Sequence, residues 1–128
     1  HRADGLTLFN GDFFDLTPEQ LGSVDAVYDR AALIAQPPEM RNRYALKLRD
    51  LLGSSLAQPE FSFLQIVLER FPHDEDGPPF SVRLTELEHL YGHDFAIHRL
   101  SEEMVEARAP AGSSTHESVL ILAPLQKT

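Results

Sequence analysis

The sequence contains no cysteine, which excludes disulfide bonds, thiolate nucleophiles and zinc sites built on cysteine. It also lacks any apolar run approaching the ~20 residues that a membrane-spanning helix needs. A charged segment followed by an apolar one, the pattern of a leader, does not precede the first predicted strand. These absences favour a protein of the cytoplasm.

Basic residues are scarce, with 11 lysines and arginines against 20 acidic residues and a formal net charge of −9. This charge repels nucleic-acid phosphates and anionic lipids, and the basic residues form no long cluster. We therefore expect neither nucleic acid nor a membrane surface as a partner. A chain of 128 residues is long enough for one domain with a substantial core.

The sequence also lacks several motifs that carry chemistry. Its seven glycines are scattered, so there is no G-x-G-x-x-G and no Walker-type phosphate loop, and no serine lies in a G-x-S-x-G setting. His89 and His93 have the spacing of a helical metal pair, but Gly92 interrupts the helix between them and no third ligand has a defined spacing. We therefore predict no metal site.

Apolar periodicity predicts an α/β fold with a mostly parallel sheet that ends in a paired, hairpin-like finish. One or two helical turns are predicted after Thr17, and residues 69–80, rich in charge, glycine and proline, are predicted to form a surface loop of a length typical of functional loops. The nearly continuous apolar run at 61–68 predicts a central strand. The predicted strands are 6–9, 24–29, 61–68, 95–100 and 119–122. Two longer helices are predicted at 38–52 and 81–91, and a short acidic helix is predicted at 101–107.

The stretch VDAVYDRAAL at 24–33 is the first candidate for a functional site. Arg30 follows an apolar strand pattern and precedes a helical one, which places it at the carboxyl end of a strand expected in the middle of the sheet. Ligands of open α/β sheets bind outside such ends. A surface ion pair between Asp29 and Arg30 is the commoner explanation of such a charge pair, so the residues alone leave both interpretations open.

Three blocks of sequence resemble the thiopurine S-methyltransferase family. They are GDFFDLTPEQLG at 11–22, VDAVYDRAAL at 24–33 with PPEMRNRYA after it, and DGPPFSV at 76–82 followed by LYG. Their order and spacing match the carboxyl-terminal half of the family's domain. The resemblance implies that residues 1–128 are the carboxyl-terminal portion of a single methyltransferase domain. It implies a partial Rossmann-like class I methyltransferase sheet, with the third to seventh strands present and the first two lacking.

The same resemblance implies methyl transfer from S-adenosylmethionine to the thiol or selenol of a small aromatic or heterocyclic molecule. Asp12 and Phe13 take positions that contact the cofactor's adenine in the family. Arg30 matches the arginine of the D-R-[AG]-A-L block, which the family assigns to the cofactor and substrate site. A guanidinium near a thiol favours the thiolate, so Arg30 is also the predicted catalytic residue.

The predicted substrate pocket follows from the resemblance as well. Pro78, Pro79 and Phe80 match a G-P-P-F loop that lines the pocket, and Arg108 matches a second arginine of a late loop when a gap of one residue is allowed. Arg70 stands where the family usually has an aromatic residue, which is a departure from the pattern.

Other parts of the family's pattern are absent from this sequence. The glycine-rich loop, the acidic residue on the cofactor ribose and the amino-terminal aromatic segment have no counterpart here. The strand at 6–9 should therefore lose its family neighbour or pair elsewhere, and an exposed edge of this kind favours self-association. Two functions stay open: part of a longer methyltransferase, with weak or no activity in isolation, or a non-catalytic fragment or dimerising module without cofactor binding.

Overall fold

A computed structural model describes residues 2–105 and 111–125. This part of the chain has mixed α/β architecture, which confirms the predicted class. The strands are β1 (Arg2–Ala3), β2 (Leu6–Thr7), β3 (Ala26–Asp29), β4 (Ser62–Phe71), β5 (Phe95–Val105) and β6 (Ser114–Pro124). The α-helices are α1 (Pro18–Leu21), α2 (Pro38–Leu52) and α3 (Leu84–Tyr91), and short 3-10 helices lie at Phe13–Asp15, Leu33–Ala35 and Gly53–Ala57.

Four of the strands form one sheet in the order β3, β4, β6, β5. β3 runs parallel to β4, whereas β6 runs antiparallel to both β4 and β5. The sheet in the described residues is therefore mixed, and the prediction of a mostly parallel one is wrong. The physical reason is the short connection from β5 to β6, since a parallel pair needs a crossover of roughly a dozen residues or more.

β4 is the central strand, as its apolar sequence predicts. It lies between β3 and β6, and Phe63 and Gln65 on it are fully buried. β3 is instead an edge strand of the described sheet, so the expectation that Arg30 follows a middle strand is wrong here. Tyr28 on this edge strand is 62% exposed.

The strand predicted at 6–9 does pair elsewhere. β2 is antiparallel to β1 in a separate two-stranded sheet, with Ala3 opposite Leu6. Leu8 and Phe9, which follow β2, are exposed. The amino-terminal residues thus present apolar side chains to solvent.

The prediction of an acidic helix at 101–107 is wrong for residues 101–105, which the structure describes. Residues 101–105 continue β5, which pairs with β6 from Phe95 opposite Pro124 to Val105 opposite Thr115. Glutamate favours helices, but intrinsic propensity is a small effect that the backbone hydrogen bonds offered by the long strand β6 outweigh. Residues 106 and 107 lie outside the described residues.

The helices begin and end where local chemistry requires. Thr17 and Gln20 form a capping box at the start of α1, and Gly53 takes a φ of 44° after α2, a conformation that favours glycine. α3 begins three residues later than predicted, because the Val82 amide donates to the Leu68 carbonyl of β4 at 2.8 Å and holds that segment extended. Within the described residues, no helix combines the length and the apolar character that crossing a membrane requires.

The core lies between α2, α3 and the sheet. The Phe63 ring meets Tyr91 and Phe95 edge-on, with centroids 5.5 and 5.7 Å apart. Other buried members are Leu33, Tyr44, Leu48, Leu52, Val67, Val82, Leu87, Leu120 and Leu122. These contacts fix α2 and α3 relative to the carboxyl end of β3.

Two leucines on α2 provide a matched test of this packing. Leu48 is 7% exposed and Leu46 is 65% exposed. We expect Leu48→Ala to lower the free energy of unfolding by about 2–5 kcal/mol, because it removes buried methyl groups and leaves a cavity. Leu46→Ala should change it by less than about 0.5 kcal/mol. Urea denaturation measures both, and equal losses would contradict this account of the core.

Candidate functional site

Residues from all three sequence blocks meet around the segment that follows β3. The Phe80 amide donates to the Ile34 carbonyl at 2.6 Å, which joins the G-P-P-F loop to this segment. On another side, the Phe13 ring lies against the Tyr44 ring with centroids 5.2 Å apart, and the Tyr44 hydroxyl reaches back to Asp29. The fold thus brings together stretches that are distant in the sequence.

Asp29, the last residue of β3, is 3% exposed and sets the course of this segment. Its Oδ1 accepts hydrogen bonds from the amides of Ala32 at 3.1 Å and Leu33 at 3.3 Å, and its Oδ2 accepts one from the Tyr44 hydroxyl at 2.8 Å. The carboxylate therefore caps the short helix after β3. Because the Asp29 carboxylate is buried and hydrogen-bonded inward, the prediction of a surface ion pair between Asp29 and Arg30 is wrong.

Tyr44 links α2 to the end of β3. Burial raises the pKa of its hydroxyl far above the usual range, and the neighbouring Asp29 carboxylate raises it further. The hydroxyl thus stays protonated and donates to Asp29. The side-chain amide of Gln65 on β4 donates to the Asp29 carbonyl at 3.1 Å. The end of β3 is therefore held by α2 through Tyr44 and by β4 through Gln65.

Arg30 follows directly and is exposed. Its side chain makes no hydrogen bond or ion pair with another residue in the described ranges. Arg30 and Asp29 therefore have opposite environments, with the carboxylate in the core and the guanidinium on the surface. A cation in this position is available to a ligand at the carboxyl end of β3.

The two predicted adenine contacts lie at the start of the first 3-10 helix. Asp12 is exposed, and its Oδ1 accepts a hydrogen bond from the Phe14 amide at 2.9 Å, which makes it the N-cap. Phe13 is half-buried against Tyr44 and packs on the core. A carboxylate and an aromatic ring are thus adjacent on one turn.

The predicted substrate residues form a surface loop. Pro78 and Pro79 are exposed and Phe80 is half-buried. A Cβ on Gly77 would lie 2.5 Å from the Phe80 ring, so a larger residue there would displace that ring. Arg108, the second predicted arginine, lies outside the described residues.

Arg41 on α2 is a feature that sequence reasoning missed. It is 3% exposed, its Nε and Nη2 bind the Glu86 carboxylate of α3 at 2.5 and 2.9 Å, and its Nη1 donates to the Gln36 carbonyl at 2.7 Å. The centre of its guanidinium is also 5.8 Å from the Phe80 ring. The signal in the sequence was a charged residue three positions before Tyr44, within the inward-facing stripe of α2.

Two cavities lie away from these residues. One of about 240 Å³ is lined by α2 and α3, and one of about 750 Å³ is lined by residues 53–61 and the end of β6. Both include Arg49 and Asp94, which form an ion pair at 3.1 Å. Neither of these two cavities is lined by a predicted site residue. The described residues contain no group of three or more metal-binding side chains.

Comparisons with known proteins agree with the resemblance. Residues 1–121 match the family model described as Thiopurine S-methyltransferase (TPMT). A similar protein is the thiopurine S-methyltransferase of Acinetobacter baylyi, which is 38% identical over 91% of this chain and 51% of the relative. The thiopurine S-methyltransferase of Xanthobacter autotrophicus is 46% identical over 74% of this chain and 42% of the relative. The thiopurine S-methyltransferase of Gluconobacter oxydans is 38% identical over 96% of this chain and 53% of the relative. The chain spans about half the length of these relatives.

Tyr44→Phe tests the hydrogen bond that holds Asp29. The variant leaves a buried carboxylate oxygen without its hydroxyl partner, so we expect a loss of about 1.5–3 kcal/mol in the free energy of unfolding. Tyr28→Phe on the exposed edge strand is the matched control and should change it by less than about 0.5 kcal/mol. Chemical denaturation gives both values. A Tyr44→Phe variant as stable as its control would refute the role of this bond.

The buried tyrosines also predict a dependence of stability on pH. Burial raises the pKa of Tyr44 and of Tyr91 well above their usual value, with a further contribution from Asp29. Stability from a raised pKa is fully present below the unfolded value, about 10, and is lost as the pH rises above it. We expect the free energy of unfolding to fall above about pH 10, and Tyr91→Phe to reduce that fall. A fall equally steep in Tyr91→Phe and in the parent chain would contradict this.

Proposed function

Because this chain belongs to the thiopurine S-methyltransferase family, we propose that it forms the carboxyl-terminal part of a longer S-adenosylmethionine-dependent enzyme. The proposed reaction is methyl transfer to the thiol or selenol of a small aromatic or heterocyclic molecule. The family and the names of the relatives indicate a methyltransferase. The acceptor and the longer context are our proposal.

The fold supports assignment to a partial Rossmann-like class I sheet over residues 1–128. In that assignment the strand at 6–9 is the third of the family and β3 is the fourth, with the two missing strands between them. Among the strands of the described residues, β2 pairs with β1 and not with β3, as expected when those neighbours are lacking. A mixed sheet with β4 at its centre is compatible with the remaining strands.

One observation carries the proposed site. The hydrogen bond from the Phe80 amide to the Ile34 carbonyl holds the proposed substrate loop next to the segment that begins at Arg30. The contact between Phe13 and Tyr44 brings the proposed adenine residues to the same end of the sheet. Arg30, Phe13 and the loop are the groups that the proposed reaction needs near one another.

The residues present fit the adenine end of the cofactor. The ring of Phe13 offers an aromatic face, and Asp12 has a second carboxylate oxygen able to accept a hydrogen bond from an amino group. When bound, S-adenosylmethionine supplies an electrophilic methyl group on a sulfonium. The chain's own contribution is to hold the acceptor thiol in line and to exclude water from it.

Arg30 is the proposed catalytic residue. A guanidinium beside the acceptor thiol lowers the pKa of that thiol through opposite charge, and arginine does not itself lose a proton under these conditions. Its position after β3, exposed and without a described partner, leaves its charge available to the acceptor. Pro78 and Pro79 offer an apolar surface for an aromatic or heterocyclic ring.

The alternative is a non-catalytic fragment that associates with itself. The open edge of β3, with Tyr28 exposed, is the surface through which we propose any such association. Calorimetry with S-adenosylhomocysteine separates the two functions. We expect binding by the protein expressed with its upstream coding sequence and little or none by residues 1–128 alone. Absence of binding by the longer protein would favour the alternative. The cytoplasmic location stays a prediction.

Arg30→Ala tests the catalytic assignment in the longer protein. Loss of the guanidinium should lower kcat/KM for an aromatic thiol by about 10- to 100-fold, corresponding to ~1.4–2.8 kcal/mol, with the larger loss for thiols of higher pKa. Arg83→Ala, which removes an exposed arginine at the start of α3, is the control and should leave kcat/KM unchanged. Steady-state kinetics against a series of thiols measures this. Equal rates in both variants would remove Arg30 from the mechanism.

A further inference from the structure

Arg70, near the end of β4, is bonded at three places to the loop that follows it. Its Nε lies 3.1 and 3.0 Å from the two carboxylate oxygens of Asp74, and its Nη2 lies 2.6 Å from Oδ1. Its Nη1 donates to the Pro79 carbonyl at 2.8 Å, and its Nη2 also donates to the Asp76 carbonyl. The side chain is only 12% exposed although the loop lies on the surface. The loop is therefore wrapped around this guanidinium.

The sequence of the loop explains why such a donor is needed. Pro78 and Pro79 have no N–H groups, so this stretch cannot be held by its own amides. The carbonyls of Asp76 and Pro79 flank it, and both accept from Arg70. A planar guanidinium presents five donors in a fixed fork, which suits it to hold a carboxylate and two carbonyls at once.

The same contacts fix the loop relative to the rest of the site. The Arg70 amide donates to the Ser81 hydroxyl at 3.0 Å, and the Phe80 amide donates to Ile34. The Asp76 amide donates to the Asp74 carboxylate at 3.0 Å, which joins two of the three partners of Arg70 to each other. The hydrogen bonds from Arg70 hold the pKa of Asp74 below its usual range, so the carboxylate remains charged at neutral pH.

We propose that Arg70 is a positioning residue that holds Pro78, Pro79 and Phe80 against the segment after Arg30 and thereby sets the shape of the thiol-binding surface. The role in substrate binding rests on the proposed function, whereas the order of the loop does not depend on it. Since its donors are directed to the loop and its charge is paired with Asp74, Arg70 acts through the loop and does not bind the acceptor itself.

Hydrogen–deuterium exchange on residues 1–128 tests the first part. In Arg70→Ala, amides at 71–82 should exchange about tenfold faster or more, because charge-assisted hydrogen bonds are lost, while α2 is unchanged. Arg70→Lys should not restore protection, since one ammonium cannot reach the carboxylate and both carbonyls. Arg83→Ala is the matched control, with parental exchange expected. Parental exchange at 71–82 in Arg70→Ala would overturn the proposal.

Kinetics of the longer protein test the second part. We expect Arg70→Ala to raise KM for the thiol about tenfold, with kcat and KM for S-adenosylmethionine within about twofold of the parent, because the loop contacts the acceptor only. Faster exchange at 71–82 with an unchanged KM for the thiol would overturn the positioning role. Absence of methyl transfer by the parent protein would overturn the proposed function, and the exchange result would then decide alone whether Arg70 orders the loop.

Discussion

The buried carboxylate of Asp29 accepts hydrogen bonds from the amides of Ala32 and Leu33 and from the hydroxyl of Tyr44. A buried charge is costly unless it is hydrogen-bonded, so the convergence of these donors on it stabilises the fold. The requirement fixes the turn after β3 and its orientation toward α2. Arg30 lies between the strand and that turn. Because the Asp29 side chain points inward to its hydrogen-bond donors, the next side chain, that of Arg30, points outward.

A second set of contacts extends this constraint to the loop of Pro78, Pro79 and Phe80. Arg41 binds Glu86 through two nitrogens and the Gln36 carbonyl through a third, so α2, α3 and the segment after β3 are held together. Loss of Glu86 would leave the buried guanidinium of Arg41 without its carboxylate, which favours a single arrangement of these elements. The Phe80 ring lies beside Arg41, and its amide binds the same segment. The loop is thus positioned from α2, from that segment and from Arg70.

Local patterns predicted the elements that local chemistry determines. The continuous apolar run predicted β4 as a central strand, apolar periodicity predicted α2, and Thr17 followed by proline predicted α1. The acidic segment at 101–105 was misassigned because its conformation depends on pairing with β6, which no local pattern reveals. The prediction of a mostly parallel sheet is wrong for the same reason, because strand direction also depends on pairing with β6.

The candidate site could be predicted only in part. Similarity placed Arg30, Phe13 and Phe80 in blocks that the fold brings to one region, but it assigned no role to Tyr44, Arg41 or Glu86. Their hydrogen bonds join residues 15 and 45 positions apart, and periodicity gives only the face of a helix on which a residue lies. Arg108 lies outside the described residues and stays a prediction.

We propose that the turn held by Asp29 presents Arg30 to the acceptor thiol beside the loop of Pro78, Pro79 and Phe80. The most direct test is a crystal structure of the proposed longer protein with S-adenosylhomocysteine and an aromatic thiol bound. The account predicts the guanidinium of Arg30 within hydrogen-bonding distance of the acceptor sulfur, and the Phe80 amide still bonded to Ile34. An Arg30 side chain directed away from both the sulfur and the loop would contradict it.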